Sequence, residues 1–115
     1  MASILPIPYD RQPPARQGYP DIGVVYLVRS AGRYKIGITT NVERRMRQLN
    51  GQQSAYPVEL VATAEGFGYR EFERSIHVRQ DASRVYGEWF AFVPDDVATT
   101  IELMEEWQEG QDWWR

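Results

Sequence analysis

Two runs of β-branched and aromatic residues, at positions 24–29 and 33–38, flank a short turn at 30–32. This pattern predicts an antiparallel hairpin. If Ala31 and Gly32 form a two-residue loop, Tyr26 pairs with Gly37 and the side chains alternate between the two faces of the sheet. A bulged turn would shift this alternation. One face then carries Tyr26, Lys35 and Gly37, and the other carries Val25, Leu27, Tyr34, Ile36 and Ile38.

A first helix is predicted after the hairpin. The residues at 39–41 (Thr-Thr-Asn) are good helix N-caps, and an inward stripe follows at Val42, Met46 and Leu49. Arg45 falls in the same stripe. Because burying a bare guanidinium is costly, Arg45 is expected to have an anionic partner or an anionic ligand.

The rest of the chain predicts an α/β (α+β) domain in the order β-β-α-β-α-(β)-α. A third strand at 58–64 completes a three-stranded antiparallel sheet, and a second helix spans about 68–80. The apolar stripe of that helix has Glu73 and His77 on its flank. Residues 85–93 form a short strand or extended segment, and a last helix opens at Asp95.

The chain of 115 residues suits one domain with a single core. Five of the seven prolines lie in residues 1–20, which predicts an extended arm before a domain at 21–108 and an acidic, Trp-containing tail at 109–115. The absence of cysteine excludes disulfides and thiolate metal clusters. With no apolar stretch of membrane-spanning length and no signal-peptide pattern, we expect a cytoplasmic protein, in the host cell if it is phage-encoded.

Charge is divided unequally along the chain. The overall net charge is -3, which by itself argues against nucleic acid as a partner. Residues 29–50 nevertheless carry a net charge of +5, and residues 94–115 carry -6. The basic segment therefore indicates a local nucleic-acid-binding surface.

Four ordered motifs carry a family resemblance. They are V-V-Y at 24–26, K-I-G at 35–37 followed by Arg45, E-R-S-I-H at 73–77, and G-E-W-F at 87–90. Together they resemble the GIY-YIG endonuclease superfamily, in its phage and bacterial branch, often labelled a phage DNA-binding domain. The resemblance covers roughly residues 23–93. Lys35 stands where the second triplet has tyrosine, and Tyr34 precedes it.

The resemblance implies that Tyr26 is the catalytic base. A phenol is a weak base at neutral pH, so Lys35, on the same predicted face, is expected to stabilise its phenolate. Arg45 would clamp the phosphate, and Glu73 would bind one divalent ion, Mg²⁺ or Mn²⁺. His77 is a candidate for proton transfer or for positioning, and Tyr34 and Glu88 are further site candidates. No late asparagine like that of typical superfamily nucleases is found.

A nucleic-acid-binding role is expected for residues beside this site. Gly37 would leave room for a phosphate, and Asn41, Arg44 and Arg47 would meet the backbone without reading sequence. Alternative interpretations remain open: Arg45 and Glu73 as a structural ion pair, His77 as a structural residue, and the arginines as a solvated basic face.

The function expected is a metal-dependent DNA endonuclease or nickase. The alternatives are a DNA-binding module of the same fold that cleaves weakly or not at all, and a structural or protein-interaction domain. DNA is the expected partner, with RNA left open. A domain this small is expected to obtain specificity from a homodimer or a partner protein.

Overall fold

The computed structural model describes residues 22–52 and 56–111. The predicted arm at 1–20 and the last residues of the predicted tail lie outside this part of the chain. The described elements are β1 (Ile22–Ser30), β2 (Arg33–Thr39), α1 (Val42–Gln52), β3 (Glu59–Phe67), α2 (Tyr69–Arg79), a one-turn 3₁₀ helix (Asp81–Ser83), β4 (Arg84–Tyr86), β5 (Trp89–Phe90) and α3 (Pro94–Glu109).

The strands form one antiparallel sheet of five strands in the order β3-β1-β2-β5-β4. The α+β class is confirmed, but the sheet has five strands and not the three that were predicted. The segment predicted as one strand at 85–93 forms two very short strands, which pair with each other and extend the sheet beyond β2. Strands of two and three residues leave too little alternation for a sequence pattern to show them.

The hairpin has the predicted register. Ala31 and Gly32 form the loop with φ of 51° and 78°, and positive φ at both positions is what a type I′ turn requires. Tyr26 pairs with Gly37 and Val28 with Lys35. The two faces of the sheet therefore differ in chemistry as the alternation predicted.

Helices α2 and α3 cover the face of the sheet that carries Val25, Leu27 and Ile36, here called the first face, and build the main core; the second face is the one that carries Tyr26 and Lys35. Its buried residues are Val25, Leu27, Ile36, Ala64, Tyr69, Ile76, Phe90, Phe92 and Met104. Helix α1 covers the second face with a smaller cluster, in which Leu49 and Met46 pack on Tyr26, Val28 and Val58.

Local hydrogen bonds define the start of α1 and the edge of β3. The Asn41 side chain accepts a hydrogen bond from the Arg44 backbone N–H at 3.0 Å, which confirms the predicted N-cap. At the other end of the fold, Gln108 of α3 accepts a hydrogen bond from the Glu65 backbone N–H at 2.8 Å. Helix α3 thus packs along β3 and satisfies part of its outer edge. None of the helices in the described part of the chain has the length and apolar character needed to cross a membrane.

Candidate active site

Tyr26 and Arg45 meet on the second face of the sheet. Strand β1 directs the Tyr26 phenol across β2, and Arg45 Nε donates a hydrogen bond to its hydroxyl at 3.1 Å. Tyr26 is 1% exposed. A Cβ built on Gly37 would lie 2.5 Å from Tyr26 Cζ. The space above Gly37 is therefore filled by the phenol, and not left for a phosphate as predicted.

Glu73 and His77, both on α2, contact each other beside the edge of β2 that carries the Ile36 carbonyl. One turn of α2 separates them, and Glu73 Oε2 lies 3.4 Å from His77 Nε2. His77 Nε2 also lies 3.0 Å from the Ile36 carbonyl oxygen, to which its N–H donates. Both side chains are mostly covered, at 14% and 12% exposure. The prediction that α2 presents both groups beside its apolar stripe is confirmed.

These two pairs lie against the same peptide unit. Strand β5 pairs with β2 only at Tyr34 and Lys35, so the Ile36 carbonyl faces no strand partner in the described part of the chain. His77 occupies that open edge, and the Tyr26 phenol lies over the next residue, Gly37. Because β5 begins at Trp89, the Ile36 carbonyl at this edge of β2 is left to His77.

Lys35 and Glu88 form an ion pair beside Glu73 and His77. Lys35 Nζ lies 2.6 Å from Glu88 Oε1, and its own side chain is 11% exposed. A ligand oxygen of Glu88 also lies within 4.8 Å of ligand atoms of Glu73 and His77. Lys35 therefore pairs with Glu88, and the cation that contacts the Tyr26 hydroxyl is Arg45. The predicted role of Lys35 as the partner of the phenol is corrected accordingly.

The proton affinity of His77 is perturbed in this setting. Its hydrogen bond with Glu73 raises the pKa of His77 above the ordinary value of about 6.5, against the opposing effects of burial and of the nearby Arg84. Arg84 Nη1 lies 3.4 Å from His77 Nδ1. Since arginine only donates, that contact favours the neutral imidazole with its proton on Nε2.

Arg84 is a site residue that sequence reasoning missed. Its guanidinium donates to the His77 carbonyl at 3.3 Å and to the Gly87 carbonyl, and it pairs with Asp81 at 2.8 Å. It therefore ties the end of α2 to the loop that carries Glu88. No periodic pattern marks this position, since Arg84 begins a strand of three residues and acts through backbone carbonyls.

The remaining predicted site residues divide into two groups. Arg44 and Arg47 are exposed on α1, next to the partly buried Arg45, and Asn41 caps the same helix. Tyr34 points to the opposite face from Tyr26 and packs on Phe92, with ring centroids 5.7 Å apart, so the structure does not bring it to the site.

Arg45 and Glu73 do not form the structural ion pair that was the alternative interpretation of these two residues. Arg45 hydrogen bonds to Tyr26 and Gln48, and Glu73 contacts His77. Among the described residues, no ion pair joins Arg45 to Glu73. The two groups sit on opposite sides of β2, each bound to another member of the site.

The chain is thus an α+β domain with exposed arginines on α1 and a cluster of two carboxylates and one imidazole at the edge of β2. A family model, the T5orf172 domain, matches residues 23–108, and the chain belongs to this family. The T5orf172 domain is a nuclease-associated, DNA-binding-like domain. No curated protein and no solved structure was found to match the chain.

This match corrects the family expected from the four motifs. The family found is the T5orf172 domain, and no match to the GIY-YIG superfamily was obtained. The prediction of GIY-YIG membership is therefore wrong. The site described above rests on the contacts of this chain's own residues, which do not depend on that assignment.

Proposed function

We propose that this protein is a metal-dependent DNA endonuclease or nickase that hydrolyses phosphodiester bonds. The observation that carries the proposal is the meeting of two chemically different pairs at one peptide unit. Tyr26 and Arg45 lie over Gly37, and Glu73 and His77 lie at the Ile36 carbonyl. Membership of a nuclease-associated family supports DNA as the substrate.

Tyr26 and Arg45 would act together on the attacking water. Because the phenol is 1% exposed and Arg45 lies on its hydroxyl, water reaches Tyr26 when the guanidinium turns towards a bound phosphate. The Tyr26 phenol would first give its own proton to solvent, and its Oη would then take a proton from the attacking water as the new oxygen–phosphorus bond forms. Arg45 stabilises the phosphate charge that develops, and the bond to the leaving oxygen breaks, that oxygen taking its proton from solvent.

The residues on the other side of β2 fit a divalent ion. Glu73 and Glu88 offer carboxylate oxygens that lie within 4.8 Å of each other. His77 holds Glu73 in place and is not counted as a ligand, because its Nε2–H donates to the Ile36 carbonyl and its Nδ1 faces Arg84. Carboxylates suit both Mg²⁺ and Mn²⁺. A bound ion would polarise the phosphoryl group and stabilise the leaving oxygen. Glu73, held by His77, is the residue we expect to bind it, and Glu88 has a second carboxylate oxygen that can contribute while its Oε1 pairs with Lys35.

A second candidate function is a DNA-binding module that does not cleave. The observation in its favour is the burial of the Tyr26 phenol beneath Arg45, which keeps the base from water in the free protein. In such a module, the exposed Arg44 and Arg47 would still contact the DNA backbone.

Cleavage of supercoiled plasmid and of branched DNA with Mg²⁺ or Mn²⁺ tests the proposal. Arg45→Ala and Glu73→Gln are each expected to lower the rate at least about 100-fold, since each removes a group that acts on the reacting phosphate. Glu71→Gln and Arg79→Ala are matched controls, because both residues are exposed on α2 away from the cluster. Folded wild-type protein that binds DNA but cleaves no substrate would establish the binding module instead.

A further inference from the structure

A concave pocket lies at the turn end of the hairpin, away from the proposed cleavage site. It has a volume of about 180 Å³ and is lined by Ser30, Ala31, Arg33, Tyr56, Tyr86 and Trp89. Cavities of about 150 Å³ accommodate a benzene ring in other proteins. The pocket is therefore large enough for a flat heterocyclic ring, and it is open to solvent along one side.

The lining combines exposed aromatic rings with positive charge. Tyr56 and Tyr86 are 59% and 68% exposed, which is unusual for rings that have a core available to them. Trp89 also lines the pocket, with Lys35 Nζ 5.7 Å from its ring centre. Arg33 is exposed at the rim. Aromatic faces beside arginine and lysine are the combination on which unpaired nucleobases stack.

The pocket lies on the same face of the sheet as Tyr26 and Arg45. Arg33, Lys35 and Gly37 project from the same face of β2, because every second residue of a strand does so. Gly37 lies four residues after Arg33, which corresponds to ~13 Å along the strand. At the ~3.4 Å rise of a stacked strand, this distance spans at most about four nucleotides. A strand whose phosphate lies at Arg45 would therefore reach the pocket, with Arg33 at its rim, within a few nucleotides.

We propose that this pocket binds an unpaired nucleobase, so that the protein selects DNA with single-stranded nucleotides a short distance from the phosphate at Arg45. The proposal rests on the proposed function in placing the phosphate, but base binding itself does not require cleavage. Stacking uses the face that every base presents, so the pocket selects for unpaired structure and not for a sequence.

Binding in EDTA tests the pocket without cleavage. The probes are a labelled blunt duplex, the same duplex with a single-stranded thymidine tail, and a third with a tail of equal length made of abasic sites. The abasic tail keeps the phosphates and removes only the bases. Wild-type protein is expected to bind the thymidine tail about 5- to 100-fold more tightly than the abasic tail.

Tyr86→Ala and Trp89→Ala are expected to remove most of this preference, while Tyr86→Phe retains it. Tyr86 is well exposed, so its truncation leaves the fold intact even if that of Trp89 does not. Val85→Ala is the matched control, because Val85 is also exposed on β4 but does not line the pocket. Equal binding of thymidine and abasic tails by wild-type protein, or an unchanged preference in Tyr86→Ala, would overturn the proposal.

The outcome separates this inference from the proposed function. If the protein prefers bases in a way that depends on Tyr86 but cleaves no DNA, the nucleobase pocket is supported and the nuclease function is contradicted. If the protein cleaves DNA, Glu73→Gln abolishes cleavage, and thymidine and abasic tails bind equally, the nuclease function is supported and the nucleobase pocket is contradicted.

Discussion

The protonation of His77 reports directly on its contact with Glu73. The pKa of His77 is raised above about 6.5 by that hydrogen bond, so the folded protein holds the proton more tightly than the unfolded chain. In metal-free protein, the stabilisation from the protonated pair is fully present below about pH 6.5. It is lost as the pH rises through the higher pKa of the folded state.

Glu73→Gln is accordingly expected to lower the pKa of His77 towards about 6.5, because the anionic acceptor is gone. NMR titration of the ring protons measures this without ambiguity, since His77 is the only histidine in the chain. Glu71→Gln, on the exposed side of the same helix, should leave the titration unchanged. An identical His77 pKa in wild type and Glu73→Gln would contradict the contact.

Gly37→Ala adds one methyl group against the Tyr26 ring and so tests whether that ring lies directly over Gly37. A Cβ there would lie 2.5 Å from Tyr26 Cζ, so Gly37→Ala must push the ring aside and strain the Tyr26–Arg45 hydrogen bond. Thermal or denaturant unfolding is expected to show a loss of about 1–3 kcal/mol, as for other overpacked cores. A stability equal to wild type would show that the ring has room to move.

Among the secondary-structure elements, Arg84 is expected to hold the loop that carries Glu88 against the end of α2. Its bonds to the carbonyls of His77 and Gly87 keep Glu88 close to α2. Arg84→Ala is expected to weaken Mn²⁺ binding about 10-fold or more, the usual cost of removing a group that orients metal ligands. Titration calorimetry measures this affinity. Arg79→Ala is the control, and unchanged Mn²⁺ affinity in Arg84→Ala would show that the loop is held by other contacts.

The elements differ in how far the sequence determined them. The hairpin, its register and the stripe of α2 were predictable, because turn residues at Ala31 and Gly32 and a regular apolar spacing act over a few positions. The outer strands β4 and β5 were not, because they are too short to carry a pattern. The Lys35–Glu88 ion pair depends on where β4 and β5 place Glu88, and its two residues are 53 positions apart in the chain. The sequence therefore did not show that Lys35 pairs with Glu88 and that Arg45 contacts the Tyr26 hydroxyl.

At the scale of the whole molecule, the protein separates a basic surface from an acidic one. Arg44 and Arg47 are exposed on α1 on the second face, and the acidic helix α3 packs along β3. A chain with a net charge of -3 can therefore still present a positive surface to DNA. The unequal distribution of charge was visible in the sequence, but which face each segment occupies followed only from the packing of the helices.

Arg44→Ala and Arg47→Ala are each expected to weaken DNA binding similarly on all sequences, because phosphate contacts carry no base information. Each should reduce the slope of log affinity against log salt by about 1. Fluorescence anisotropy over a range of salt concentrations measures both quantities. Glu43→Gln, also exposed on α1, should not reduce the slope. An unchanged slope in both arginine variants would place the DNA on another surface.

The rate of DNA cleavage by Tyr26→Phe shows whether the Tyr26 phenol is the general base. The substitution removes one hydroxyl, whose partner in the structure is Arg45, and leaves the ring that packs on Val28 and Leu49. We expect a loss of about 100-fold or more in cleavage rate with DNA binding retained, the usual cost of losing a general base. Cleavage by Tyr26→Phe at the wild-type rate would contradict the assignment of the phenol and the site built around it.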